Sequence, residues 1–258
     1  MNYRSVCCPS CGASLHPGDR TDVIRCAYCG GSVRAEDGLD TGATAKLKNI
    51  ERLAIAEEQS GNFKASYGHY QRILEQDAEN WRAWLGKGFA AGHLLSHGQP
   101  GFKELIEDTK RALHLCPKES VDGIRKEAAQ RVLMAVNGYR MRGDLPLEKM
   151  VETSAQAIEA LELAHQIDPL YIAPLERLVQ IFNSDVASDQ EALMCYRKMR
   201  TAPASLFDEK RNEQARREWD QSIAEREASL KEAREKVEKY TRMIRDIDPT
   251  FSIKMQFE

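Results

Sequence analysis

LKNIERLAIAEEQSGNFKASYGHYQRILEQDAEN, residues 47–80, is the stretch whose reading decides the fold. From Leu47 it runs as one amphipathic helix, breaks at Gly61-Asn62-Phe63, and resumes as a second helix carrying Ala65, Tyr70 and Leu74. A glycine between two segments of helical spacing marks a turn, because Gly reaches φ > 0 without steric cost. Asp77 precedes the next break, and Trp84 and Gly88 open a following unit. The helical pattern begins near Ala45 and persists, so internal repetition is the first thing to test.

These residues resemble the tetratricopeptide repeat family. The resemblance rests on small residues at Ala54 and Gly88, the Gly61-Asn62-Phe63 turn and the aromatic opening at Trp84. Residues 47–80 fit without insertion, although Ala78 replaces the usual terminal proline. The second unit has a longer loop at Ser96-His97-Gly98-Gln99-Pro100-Gly101, a second helix over Phe102 to Leu115, and an end at Cys116-Pro117. The third turns at Gly143-Asp144 and ends at Ile167-Asp168-Pro169, and a fourth opens near Ile172, with Pro174 in its first helical turn. Degenerate repeats of this kind are held by stacking on their neighbours. The alternative is a non-repeating helical bundle of similar composition. The resemblance implies a concave groove that receives a protein partner, lined here by Lys48, Glu51, Ile55, Glu58, Arg82, Leu85, Phe89 and His93. Glu51 and Ile55 stand where some members carry Lys and Asn to grip a carboxylate, so that clamp is not expected. Packing against the chain's own helices is the other reading of these residues.

Upstream, Cys8-Pro9-Ser10-Cys11-Gly12 and Cys26-Ala27-Tyr28-Cys29-Gly30 are two copies of one turn. Two thiolates three positions apart converge on one ion, and two such turns supply the four sulfurs of a tetrahedral structural Zn2+ site with Zn–S of about 2.3 Å. Ser14-Leu15-His16 and Asp22-Val23-Ile24-Arg25 read as the two arms of a hairpin joining the turns, with Ser32-Val33-Arg34 as a third strand. Residues 6–34 resemble the zinc ribbon family, with a fourteen-residue spacer from Cys11 to Cys26, one short of the usual span. Cys7 is read as an extra thiol, and His16 as a bystander to a shell already closed by Cys8, Cys11, Cys26 and Cys29. A closed shell leaves no open position, so the ion is expected to support folding of a segment too small for an apolar core.

From Ala204 to Ile247 there is neither Gly nor Pro, which predicts one helix of up to roughly 60 Å. Glu/Lys and Glu/Arg pairs four apart line one face, while Trp219, Ile223, Leu230, Ala233, Val237, Tyr240, Ile244 and Ile247 form an apolar seam interrupted by Arg226. Cover for that seam comes either from the last repeat or from a second copy of the chain. Asp248-Pro249 repeats the earlier ends and favours the former.

The expected organisation is therefore mainly α: a zinc ribbon (1–36), a flexible linker (37–44), a tetratricopeptide-like helical hairpin array (45–203), and a long charged helix with a short tail (204–258). Charged residues are 30% of the chain with a net charge of −3, which gives no general footprint for nucleic acid. The ribbon's four arginines are matched by four acids, so protein contact is favoured there and nucleic-acid contact is the alternative. No apolar run reaches about 18 residues, and Val6 is followed by cysteines instead of a signal core, so a cytoplasmic protein is expected. No nucleophile–base motif, phosphate loop or hydrolytic zinc motif is present, and the expected function is that of a non-enzymatic adaptor.

Overall fold

In the computed structural model, which describes residues 6–7, 13–15, 23–34, 42–94, 101–138, 147–201 and 209–252, the first helix ends where the sequence places Gly61. Helix α1 (Gly42–Gln59) begins three residues before 45, inside the stretch read as linker. At its other end Asn62 N–H donates to Glu57 O at 2.8 Å and Gly61 N–H to Glu58 O at 3.0 Å, with Gly61 at φ +78°. That pair of bonds satisfies two carbonyls left open at the helix end and needs a left-handed residue where Gly61 stands. The side chain of Asn62 adds a 2.7 Å bond to Glu57.

Among the described residues seven further α-helices follow: α2 (Phe63–Leu74), α3 (Trp81–His93), α4 (Phe102–Leu115), α5 (Val121–Gly138), α6 (Leu147–Ile167), α7 (Ala173–Thr201) and α8 (Glu209–Ile247). Asn80 caps α3 by accepting from Ala83 N–H at 3.1 Å. Helix α4 has the bounds its spacing predicts. The loops at Ser96-His97-Gly98-Gln99-Pro100 and Gly143-Asp144 lie outside the described residues.

Helices α1 to α4 pack in sequence order, each on the next. Ala54, Tyr70, Ile73 and Ala83 make one buried cluster, with Leu47, Ile50 and Leu74 against it. Glycines let the helices approach closely. A Cβ on Gly86 would lie 2.2 Å from Cζ of Tyr70, and one on Gly88 would lie 2.9 Å from Cβ of Asp108. Fully buried Leu105 lies against Gly88 and Gly92 of α3, Phe102 of α4 is buried as well, and burial of each such side chain contributes about 1.5–3 kcal/mol.

One exit turn recurs at three helix ends. After α2, Asp77 N–H donates to Ile73 O, Glu79 N–H to the Asp77 carboxylate and Asn80 N–H to Asp77 O. After α6, Asp168, Leu170 and Tyr171 make the same three bonds, and after α8 so do Asp248, Thr250 and Phe251. The turn thus depends on aspartate, since Ala78 follows Asp77 where prolines follow the other two.

Two local expectations are corrected. The fourth unit does not form a short hairpin: Pro174 is accommodated at the start of α7, but the helix then runs unbroken for 29 residues, having no Gly or Pro to stop it before Pro203. Its antiparallel partner is α8, which lies along it. Near the N-terminus, the hairpin joining Ser14 to Arg25 is replaced by two separate ones: β1 (Val6–Cys7) pairs with β2 (Ser14–Leu15), and β3 (Val23–Arg25) with β4 (Ser32–Arg34). The Cys26-Ala27-Tyr28-Cys29 segment is itself the turn joining β3 to β4, which satisfies strand pairing locally and leaves no need there for the longer connection.

The chain divides into two compact units, Met1–Ile124 with Met134–Thr153, and Arg125–Leu133 with Ser154–Glu258. The second has its own core, in which Leu161, Leu175, Leu178, Phe182, Tyr240 and Ile244 are buried. Among the described residues no helix is long and apolar enough to cross a membrane.

Candidate functional site

The second cysteine knuckle is shaped by backbone bonds before any side chain is considered. Cys26 N–H donates to Gly31 O at 2.8 Å and Gly30 N–H returns to Cys26 O at 2.9 Å, with Gly30 at φ +71°. Arg25 Nε reaches Gly30 O at 3.4 Å across the same turn. Cys26 is buried and Cys29 exposed, with Tyr28 between them 82% exposed at the tip. Two thiols on one tight turn, followed by a left-handed glycine, are a donor pair suited to a tetrahedral ion. Cys8, Cys11 and His16 lie outside the described residues, while Cys7 is in β1 opposite Ser14. Among the described residues no three His, Cys, Asp or Glu side chains come together as a metal site.

The eight groove residues separate by burial. Lys48, Ile55 and Arg82 are exposed, and the Arg82 guanidinium lies 4.3 Å above the Trp81 ring. Glu51 and Glu58 are half-buried, and Glu58 accepts from Tyr70 O–H at 3.1 Å. Leu85 and Phe89 are 3% and 5% exposed, so their side chains pack inside the chain's own helices. His93 stacks on Phe63 with ring centroids 3.9 Å apart, and Phe89 meets both rings edge-on. Burial lowers the His93 pKa, which keeps the imidazole neutral within this aromatic group. Of the eight, the side chains accessible to a partner are therefore Lys48, Ile55 and Arg82, the first two on the same side of α1.

Between α2, α3 and α4 lies a polar network that the sequence reading did not single out. Lys87 Nζ is 2.6 Å from Glu104 and 3.0 Å from Asp108, and Tyr67 O–H donates to Glu104 at 2.7 Å. The Asp108 contact is an ion pair without hydrogen-bond alignment. Burial opposes the Lys87 charge, but the two carboxylates outweigh it and raise its pKa. Burial also pushes the Asp108 carboxyl up to about 6 against the opposing pull of Lys87. Lys87 and Arg111 both lie over the Trp84 ring, at 5.0 and 4.3 Å. A lysine held charged in this way is a poor nucleophile and a good clamp between helices. The available signal was Asp108 itself, three residues after Leu105 on the buried face of α4.

In the second unit, Arg226 interrupts the apolar seam of α8 because Asp189 faces it. Arg226 donates to Asp189 Oδ1 at 2.7 Å, with Asp189 only 4% exposed. Phe182 stacks on Tyr240 at 5.9 Å, and Tyr240 O–H donates to Glu162 at 2.5 Å.

No protein-family model matches the chain, and no curated protein matches it. Among solved structures, the one described as the crystal structure of MamA protein is similar with a TM-score of 0.34 and 16% sequence identity, the match covering 80% of this chain and 97% of that chain.

Proposed function

We propose that the chain is a non-enzymatic adaptor whose helices form a tetratricopeptide-like array that binds protein partners, with a zinc ribbon as a second contact module. The observation that carries the array is the recurrence of one aspartate-based exit turn at Asp77, Asp168 and Asp248, after α2, α6 and α8, since the same local solution at several helix ends is what repeats produce. Helices α1 to α4, each packed on the next, add the stacking that such arrays require. The partner surface is the exposed side of α1 and α3 at Lys48, Ile55 and Arg82. One Zn2+ is held by Cys8, Cys11, Cys26 and Cys29, a reading supported by the knuckle geometry at Cys26 and Gly30. The setting is the reducing cytoplasm, where paired cysteines serve metal more readily than disulfides.

Cross-linking of the full chain in cell extract tests this reading. Captured proteins are expected to cross-link to α1 and α3, and the combined variant Lys48→Glu, Ile55→Asp, Arg82→Glu is expected to lose them. Retention of the same partners by that variant removes the array surface from the account. Recovery of nucleic acid whose retention falls steeply with salt supports instead a nucleic-acid-associated factor working through the ribbon.

A further inference from the structure

The α7/α8 hairpin bears a groove of about 730 Å³ whose apolar residues are Leu193, Met194 and Leu230. Leu193 is buried and Leu230 half-buried, while Met194 is 67% exposed, so an apolar strip stands open between rows of charge. Along α8 beside this groove runs a single face: Glu227, Lys231, Arg234, Glu235, Glu238 and Arg242. Its sign pattern is antisymmetric about the midpoint between Arg234 and Glu235. Reflection through that point sets Arg234 against Glu235, Lys231 against Glu238 and Glu227 against Arg242. A two-fold axis imposes this relation, because residue i of one copy meets residue j of the other and j meets i.

We propose that this face docks a second copy of the chain, with α8 antiparallel to its counterpart about a two-fold axis beside Arg234 and Glu235 and with the Leu193, Met194 and Leu230 strips covering one another. The occupant is argued from the charge order: a foreign helix has no reason to match a pattern that is complementary to its own reverse. Existing bonds within the chain do not stand in the way. Glu227 accepts from Arg197 at 2.7 Å, Lys231 and Glu235 are 3.9 Å apart, and these pairs and the Glu238–Arg242 pair are exposed on both sides. Exposed pairs of this kind contribute little and exchange readily for contacts between copies. Arg234 makes no ion pair among the described residues. The proposal is independent of the adaptor reading.

Sedimentation equilibrium of the full chain decides it. The wild-type protein is expected to move from its 29.2 kDa monomer to twice that mass as concentration rises from about 1 to 100 μM. A Lys231→Glu, Arg234→Glu variant is expected to dimerise at least about tenfold more weakly, because it sets acids against acids. A Glu235→Lys, Glu238→Lys variant is expected to weaken equally, and an equimolar mixture of the two variants to associate within about threefold of wild type. That mutual rescue separates docking from misfolding, as do unchanged helical circular dichroism spectra of the variants. A wild-type protein that stays monomeric throughout, charge variants that dimerise normally, or a mixture that does not recover would each overturn the proposal.

Discussion

An added Cβ at Gly86 would meet the Tyr70 ring at 2.2–2.6 Å, and that ring is 3% exposed with its hydroxyl bonded to Glu58. The ring has nowhere to move, so Gly86→Ala is expected to destabilise by about 1–3 kcal/mol, the cost of overpacking. Gly68, on α2, has nothing within 4 Å of its added Cβ. Gly68→Ala is therefore expected to stabilise by roughly 0.5–1 kcal/mol through reduced freedom of the unfolded chain. Urea unfolding of the two variants beside wild type checks both signs. The sequence singled out Gly88 as the small residue of the second unit, and the close approach at Asp108 agrees with it. Gly86 went unread because which of two neighbouring glycines receives the tyrosine depends on helix rotation, which spacing does not specify. Asp108 gives a second test. Its folded pKa is raised from 3.8 to about 6, chiefly by burial, so the native state holds the proton more tightly than the unfolded chain. Its contribution to stability is complete below about 3.8 and is lost as pH rises through about 6. Comparing unfolding of wild type and Asp108→Asn from pH 3.5 to 7 should show a wild-type advantage that shrinks across this window; a pH-independent difference would remove Asp108 as its source.

Helices were legible where breakers flank them, and strand pairing was not. Gly101 and Pro117 bracket α4, so its bounds follow from the sequence, whereas α7 lacks any internal breaker and outgrew the repeat expected of it. Two- and three-residue strands carry too little alternation to choose a partner, and the backbone bonds of the Cys26 knuckle close β3 onto β4 instead of across the spacer. Arg226 was visible as a fault in the α8 seam, but its answer, Asp189, sits 37 residues away on another helix. The pair is uneven: Asp189 is 4% exposed at the side chain and Arg226 46%. Loss of the arginine strands a buried carboxylate, while loss of the aspartate leaves a guanidinium that reaches water. Arg226→Leu is thus expected to cost about 3 kcal/mol, more than Asp189→Leu, and the double variant to recover most of the loss. Guanidinium unfolding of the three variants measures this order, and equal costs for the two single changes would mean the aspartate is not held by the arginine.

At the scale of the whole molecule, two different forces have to assemble one chain. Helices α1 to α4 bury apolar faces each on the next, as α7 and α8 do on one another, and none of the four cysteines proposed to hold zinc lies in any of them. The strands β1 to β4 are two or three residues long and pair only in twos, which is below what holds a sheet together in water by itself. A bound ion would supply the missing free energy there, because metal binding to a site absent from the unfolded chain is folding free energy. Removing zinc with a strong chelator should therefore leave the helical circular dichroism of the full chain nearly unchanged. Amide exchange should change locally instead, with Cys26 and Gly30, whose N–H groups bond to Gly31 O and Cys26 O, losing protection as the metal leaves. Re-addition of one equivalent of zinc should restore both amides, and Cys26→Ser should abolish the response. If chelation melted the helices along with the knuckle, the helices would depend on the ion and the division of labour drawn from strand length and helix packing would be wrong. If the two amides exchanged equally fast with and without metal, the cysteines would have no part in closing this turn.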